Sequence, residues 1–117
     1  MQGQVRTLYG EAAEFSVARL YEAGGTRIAA RRWRGRRGEL DLVAREGDLV
    51  VFVEVKAAPT HEAALHRLRP AQLQRIRETI DEFLAGEPRG LMTEIRFDLA
   101  LVDRYGRIEV MPNILAA

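Results

Sequence analysis

Cysteine is absent from the 117 residues, and lysine occurs once. Without cysteine there is no disulfide framework and no thiolate metal site. No apolar run approaches the roughly 18 residues that a membrane span needs, and the opening MQGQVRTLYG has no apolar core of a secretion signal. A cytoplasmic protein with no membrane association is expected. Internal repeats, low-complexity segments and linkers are also lacking. What is present, 47% hydrophobic and 30% charged residues, is the balance of a globular chain rather than a disordered one. At 117 residues a single domain, 1–117, is expected.

The net charge of +1 says little, but its make-up says more: the basic residues are seventeen arginines and Lys56. Lysine is a compact ammonium on a flexible stem and arginine a planar fork, so a site needing a point charge resists the exchange. Lys56 lies two residues after Glu54 in an otherwise apolar run.

Residues 8–24 read as a helix, with Phe15, Ala18 and Glu22 continuing a row from Glu11, and Ala13, Val17 and Leu20 forming the next; Gly24-Gly25 ends it. Residues 26–34 can form a strand. GELDLVARE (38–46) and LVVFVEVKA (49–57) alternate as strands do, and Gly47-Asp48 between them is a two-residue hairpin signal. Residues 58–69 read as loop with at most a helical turn. Pro70 to Ala85 keeps helical spacing through Leu73, Ile76, Ile80, Phe83 and Leu84, with Gly86 at the exit. EIRFDLALV (94–102) and RIEVM (107–111) read as a second hairpin. The order is α-β-β-β-α-β-β, an α/β fold whose first three strands can be a meander covered by two helices.

A Gly47-Asp48 loop sets Glu46 opposite Leu49 and, counting back, Asp41 opposite Glu54 and Glu39 opposite Lys56. Side chains alternate, so these four share a face with Val43, Val50 and Phe52, while Leu40, Leu42, Ala44, Val51, Val53 and Val55 make the core face. Two carboxylates directly opposite, with Cβ atoms about 5 Å apart, repel and ask for a counter-charge. Mg²⁺ or Mn²⁺ suits them, taking oxygen ligands and usually leaving room for water and phosphate. Such an ion acidifies water and orients a phosphodiester, and a neighbouring lysine stabilises the developing charge. Asp41, Glu54 and Lys56 would suffice for hydrolysis of nucleic acid. The bland alternative is a solvated face with a Glu39–Lys56 ion pair and no metal. His61 and His66 follow in the loop and could assist the site, although surface histidines in loops usually have no role.

RRWRGRR (31–37) puts five arginines and Trp33 just upstream of Glu39. Arg31, Arg32, Arg34, Arg36 and Arg37 can hold phosphates and Trp33 can stack on a base; alternatively the loop only solubilises the domain and Trp33 packs into the core.

GELDLVAREGDLVVFVEVK resembles the signature of the YraN-like bacterial family, which is similar to archaeal Holliday-junction resolvases within the PD-(D/E)xK nuclease superfamily. The resemblance covers nearly the whole chain: YGEAAEFSVARLYEAGG (9–25) is similar to the family's first helix, and Arg96-Phe97-Asp98 to its later RFD strand. It implies a restriction-endonuclease-like fold with a central mixed sheet. It makes Asp41 the motif aspartate, Glu54 and Lys56 the ExK pair, and Glu11 an additional metal ligand. It also implies Mg²⁺ or Mn²⁺, a nucleic-acid partner (DNA more than RNA) and, as in related resolvases, a homodimer. The chain departs from the pattern at Ala57-Ala58, where the family has an aromatic and a basic residue. It departs again at Gln72, where lysine is common and glutamine serves in some related nucleases. The intact acidic set favours a nuclease acting on a branch, end or flap. The missing residues after Lys56 favour a nucleic-acid-binding module without turnover. A protein-interaction domain is the third reading.

Overall fold

A computed structural model describes residues 8–115. Its elements are α1 (Leu8–Ala23), β1 (Arg27–Arg34), β2 (Glu39–Glu46), β3 (Leu49–Ala57), α2 (His61–Leu65), α3 (Pro70–Leu84), β4 (Ile95–Val102) and β5 (Ile108–Met111). The expected α-β-β-β-α-β-β order holds, and the helical turn allowed within 58–69 is α2. Thr60 starts α2 by accepting the Ala63 N–H at 3.1 Å. The sheet runs β1-β2-β3-β4-β5. Its β3–β4 pair is parallel, so the chain crosses over through α2 and α3, while the remaining pairs are antiparallel. Gly47-Asp48 is the predicted two-residue loop, with Glu46 paired to Leu49 and the left-handed φ of +62° taken at Gly47.

The sheet is covered on both faces. Against one face, Ala13, Val17, Ala18 and Tyr21 of α1 pack on Leu42, Ala44, Val51, Val53, Ala100 and Val102. Against the other, Ile76, Ile80 and Leu84 of α3 pack on Leu40, Val43, Val50, Phe52 and Phe97. The rotation of α1 corrects the sequence reading, because Phe15 and Leu20 are 59% and 47% exposed. At its buried end the Tyr21 hydroxyl donates to Asp98 Oδ2 at 2.7 Å, while Phe15 faces outward, where the Arg31 guanidinium sits 4.3 Å from its ring centre. Asp98 also accepts from Arg96 Nε at 3.0 Å and from the Asn113 N–H at 3.0 Å. It therefore joins α1, β4 and the C-terminal segment.

Strict alternation fails in β1 and β2, next to the residues of interest. Leu40 packs with Val43 on the α3 side, whereas alternation placed it on the face of Leu42. Its β1 partner is Trp33, and Leu42 pairs with Arg31. Between those two, Arg32 takes a φ of +52°, an uncommon conformation for a side chain with a Cβ. It is held by Glu14, whose Oε1 accepts from Arg32 Nε at 3.2 Å. The result is that β1 and β2 change faces together, and consecutive residues Leu40 and Asp41 both reach the α3 side.

Candidate active site

The β2–β3 ladder ends at Leu42–Val53, one step short of the expected Asp41–Glu54 pair. Instead of facing Glu54 as a ladder partner, Asp41 accepts the Val55 N–H on its Oδ2 at 2.9 Å. The two carboxylates still meet, through their side chains. Asp41 and Glu54 are both buried, at 8% and 5% exposure. Lys56 Nζ is 3.1 Å from Glu54 Oε2, and Gln72 of α3 donates to the same oxygen at 3.0 Å.

Burial, joined by the charge of Glu54, pushes the Asp41 carboxyl up to about 8, against the opposing pull of the Val55 N–H and Lys56. Burial also raises Glu54, while Lys56 pulls it back and the charge of Glu14 adds to the rise. Burial and mutual proximity thus both disfavour two negative charges on the pair, so each carboxyl is held above its ordinary range. Among the described residues, no N–H is aimed at Asp41 Oδ1 or Glu54 Oε1. A hard cation would supply the positive charge that the two carboxylates lack between them. Two carboxylates with water and phosphate completing the shell is the usual Mg²⁺ donor set, so the residues present fit that ion.

These groups line a cavity of about 260 Å³ formed by Gly38, Glu39 and Asp41 of the β2 side, Glu54–Lys56 of β3 and Gln72, Arg75, Ile76 and Thr79 of α3. Lys56 and Glu54 share the α3 face because they are two residues apart in a regular strand. On α3, positions 72, 75 and 79 follow helical spacing and form one stripe. Gly38 eases the close approach: a Cβ there would meet Thr79 Oγ1 at 3.1 Å, so the hydroxyl would have to give by a few tenths of an ångström. Arg75 and Thr79 escaped the sequence reading, although their spacing from Gln72 could have found them.

Glu11 is not brought to this cavity. It lines a separate groove on α1 with Phe15, Arg31 and Arg32, 3.7 Å from Arg32 Nη2. Among the described residues no three His, Cys, Asp or Glu side chains are grouped to hold a metal, so the expected Asp41, Glu54 and Glu11 set is not assembled. Helix rotation is the reason, since it buries Glu14 and leaves Glu11 toward solvent; it is Glu14 whose charge reaches Glu54. Glu39 faces Arg34 at 3.6 Å.

The basic run divides in two. Arg31 and Arg32 fold onto α1 through Phe15, Glu14 and Glu11. Trp33 is half-buried, its ring edge-on to Phe83 of α3 with centres 5.2 Å apart. Phe83, itself edge-on to Phe52, offers Trp33 an apolar seat on the α3 side, and the residue keeps partial exposure. Arg34 at the end of β1 and Arg36 and Arg37 in the following turn stand exposed, and α3 holds the turn through Glu82 Oε1 to the Arg36 N–H at 2.9 Å and Glu78 to Arg37 at 3.5 Å. His61 lies away from the cavity, with Nε2 2.8 Å from the Arg107 carbonyl and Nδ1 3.3 Å from Glu109, and His66 is exposed at the end of α2. No helix among the described residues is long and apolar enough to cross a membrane.

Residues 13–102 match the model of the family described as "Uncharacterised protein family UPF0102", a span containing every residue that lines the cavity. The chain is similar to a UPF0102 protein of Cereibacter sphaeroides (strain ATCC 17029 / ATH 2.4.9), 53% identical over 117 residues and 100% of both chains. It is also similar to one from Ruegeria pomeroyi, 51% identical over 112 residues, 96% of this chain and 91% of the relative. A third, from Dinoroseobacter shibae, is 47% identical over 113 residues, 97% of this chain and 84% of the relative.

Proposed function

The chain belongs to the UPF0102 family, and we propose that it is a divalent-metal-dependent nuclease that hydrolyses phosphodiester bonds in a DNA structure such as a branch or flap. One observation carries the reading: two buried carboxylates in contact, with Lys56 3.1 Å from one of them, open into a cavity beside an exposed basic turn. A structural ion pair has no need of the second carboxylate, whose burial is costly. The order Asp41, Glu54, Lys56 supports a place among PD-(D/E)xK nucleases.

Asp41 and Glu54 would hold Mg²⁺ or Mn²⁺. Bound there, the ion supplies Lewis acidity and an acidified water. Lys56 holds a positive charge where a phosphoryl oxygen gains negative charge. Gln72 fixes the orientation of Glu54, and Val55 that of Asp41. Symmetrical cleavage of a branch takes two such sites, hence a homodimer.

A second reading, a nucleic-acid-binding module without turnover, is favoured by Ala57-Ala58, which put no basic or aromatic side chain after Lys56. The test is Mn²⁺-dependent cleavage of branched and linear DNA, with an RNA arm, by wild type, Asp41→Ala and Glu54→Gln. The nuclease reading expects product from wild type alone. Salt-sensitive binding with no product from any protein supports the module instead.

A further inference from the structure

The stripe 72-75-79 on α3 places one more cation on the wall of the cavity. Arg75 lines it, its residue is exposed, and among the described residues its guanidinium takes part in no salt bridge. The other cations near the cavity are engaged: Lys56 with Glu54, Arg34 with Glu39 and Arg37 with Glu78. The backbone beneath Arg75 is fixed, since its carbonyl accepts the buried Thr79 hydroxyl at 2.7 Å and Thr79 is wedged under Gly38. An unpaired guanidinium on a rigid helix, at the edge of a cavity whose interior is acidic, is placed to take an anion from solvent.

We infer that Arg75 is the phosphate anchor of this cavity: it binds one backbone phosphate of the nucleic acid at the mouth and so lays the strand over Asp41, Glu54 and Lys56. The inference rests on the nuclease reading and adds the residue that positions its substrate. The acidic interior alone repels a polyanion. A cation on the same wall removes that barrier and sets which phosphodiester lies over the carboxylates. Arg77 serves as the comparison. It is exposed on the same helix, but residues two apart on a helix do not share a face.

The experiment is a salt titration of the binding of a fluorescein-labelled branched DNA to the full chain in EDTA, followed by Mn²⁺-dependent cleavage kinetics. Arg75→Ala is expected to reduce the slope of log K against log salt by about 0.9, the value of one lost phosphate contact on duplex DNA. Arg75→Lys is expected to keep the slope, because it keeps the charge. In cleavage, Arg75→Ala raises KM with kcat little changed, the mark of binding shared by ground and transition states. Arg77→Ala leaves all of these near wild type. If wild type cleaves DNA and Arg75→Ala retains its slope and KM, the anchor is wrong and the nuclease stands. If wild type neither binds nor cleaves at low salt, both fall. Equal losses in Arg75→Ala and Arg77→Ala overturn the anchor in favour of diffuse charge.

Discussion

Asp41 and Asp98 are both buried carboxylates on strands, and their donors set them apart. Asp98 receives the Tyr21 hydroxyl, the Arg96 guanidinium and the Asn113 N–H, so its negative charge is matched on all sides. Asp98→Ala should cost about 3–5 kcal/mol, the range for breaking a buried charged pair, read as a lowered urea midpoint. Asp41 receives one N–H, from Val55, and faces a second carboxylate. Its carboxyl, raised from 3.8 to about 8, gives the opposite pH behaviour from a salt-bridged acid. Between those two values the folded chain keeps a proton that the unfolded chain has released, so the unfolded state binds fewer protons and stability falls as pH rises through the window. Asp41→Asn removes this titration. In EDTA its urea midpoint should fall less than that of wild type between pH 5 and 9, and at pH 9 it should be the more stable protein. A site that gains stability on losing its acid has been held strained for function. Equal pH profiles for the two proteins would show that the carboxyl titrates normally.

The turn after β1 and helix α3 act as one element. Glu82 and Glu78 hold the turn, and Gly35 lets the Glu82 carboxylate close on it, since a Cβ there would push that carboxylate aside. The Arg36 and Arg37 side chains are left toward solvent on a fixed backbone. If they grip phosphates, Arg36→Ala with Arg37→Ala should flatten the salt dependence of DNA binding by about two units, roughly 0.9 for each contact. An unchanged slope would make the turn a solvated loop. At this scale the sequence was largely legible: the strands, their hairpin loops and α3 follow from alternation, Gly47-Asp48 and the 70–85 spacing. The face change in β1 and β2 was not, because it depends on Arg32 holding a φ of +52° against Glu14, a contact between elements. Trp33 was ambiguous for the same reason: the ring that seats it belongs to Phe83, far along the chain.

Across the whole molecule, the sheet joins parts whose positions differ in how far they can be read. Asp41, Glu54 and Lys56 lie on adjacent strands joined by a two-residue loop, so local geometry nearly suffices to bring them together. Glu14, Arg75 and Thr79 reach the same region only because α1 and α3 dock on opposite faces, and Glu11 was misplaced for want of the rotation of α1. If the paired carboxylates hold the proposed cation, the fold itself reports it. An ion bound by the native state but not by the unfolded chain stabilises by RT ln(1 + [L]/Kd), about 2.7 kcal/mol at a hundredfold excess over Kd. For a domain of this size that amounts to roughly 10 °C in Tm. The proton on Asp41 competes for the same oxygens, so the shift should be large at pH 9, where the carboxyl is ionised, and small at pH 6, where it is protonated. Thermal melts in Mn²⁺, Mg²⁺ and EDTA at both values would read this without any substrate. The double variant Asp41→Asn, Glu54→Gln keeps the shape of the cavity and removes its charge, so it should melt at one temperature in all three buffers. A Mn²⁺ shift retained in that variant places the ion elsewhere, and a wild type indifferent to Mn²⁺ at pH 9 leaves the paired carboxylates without their cation.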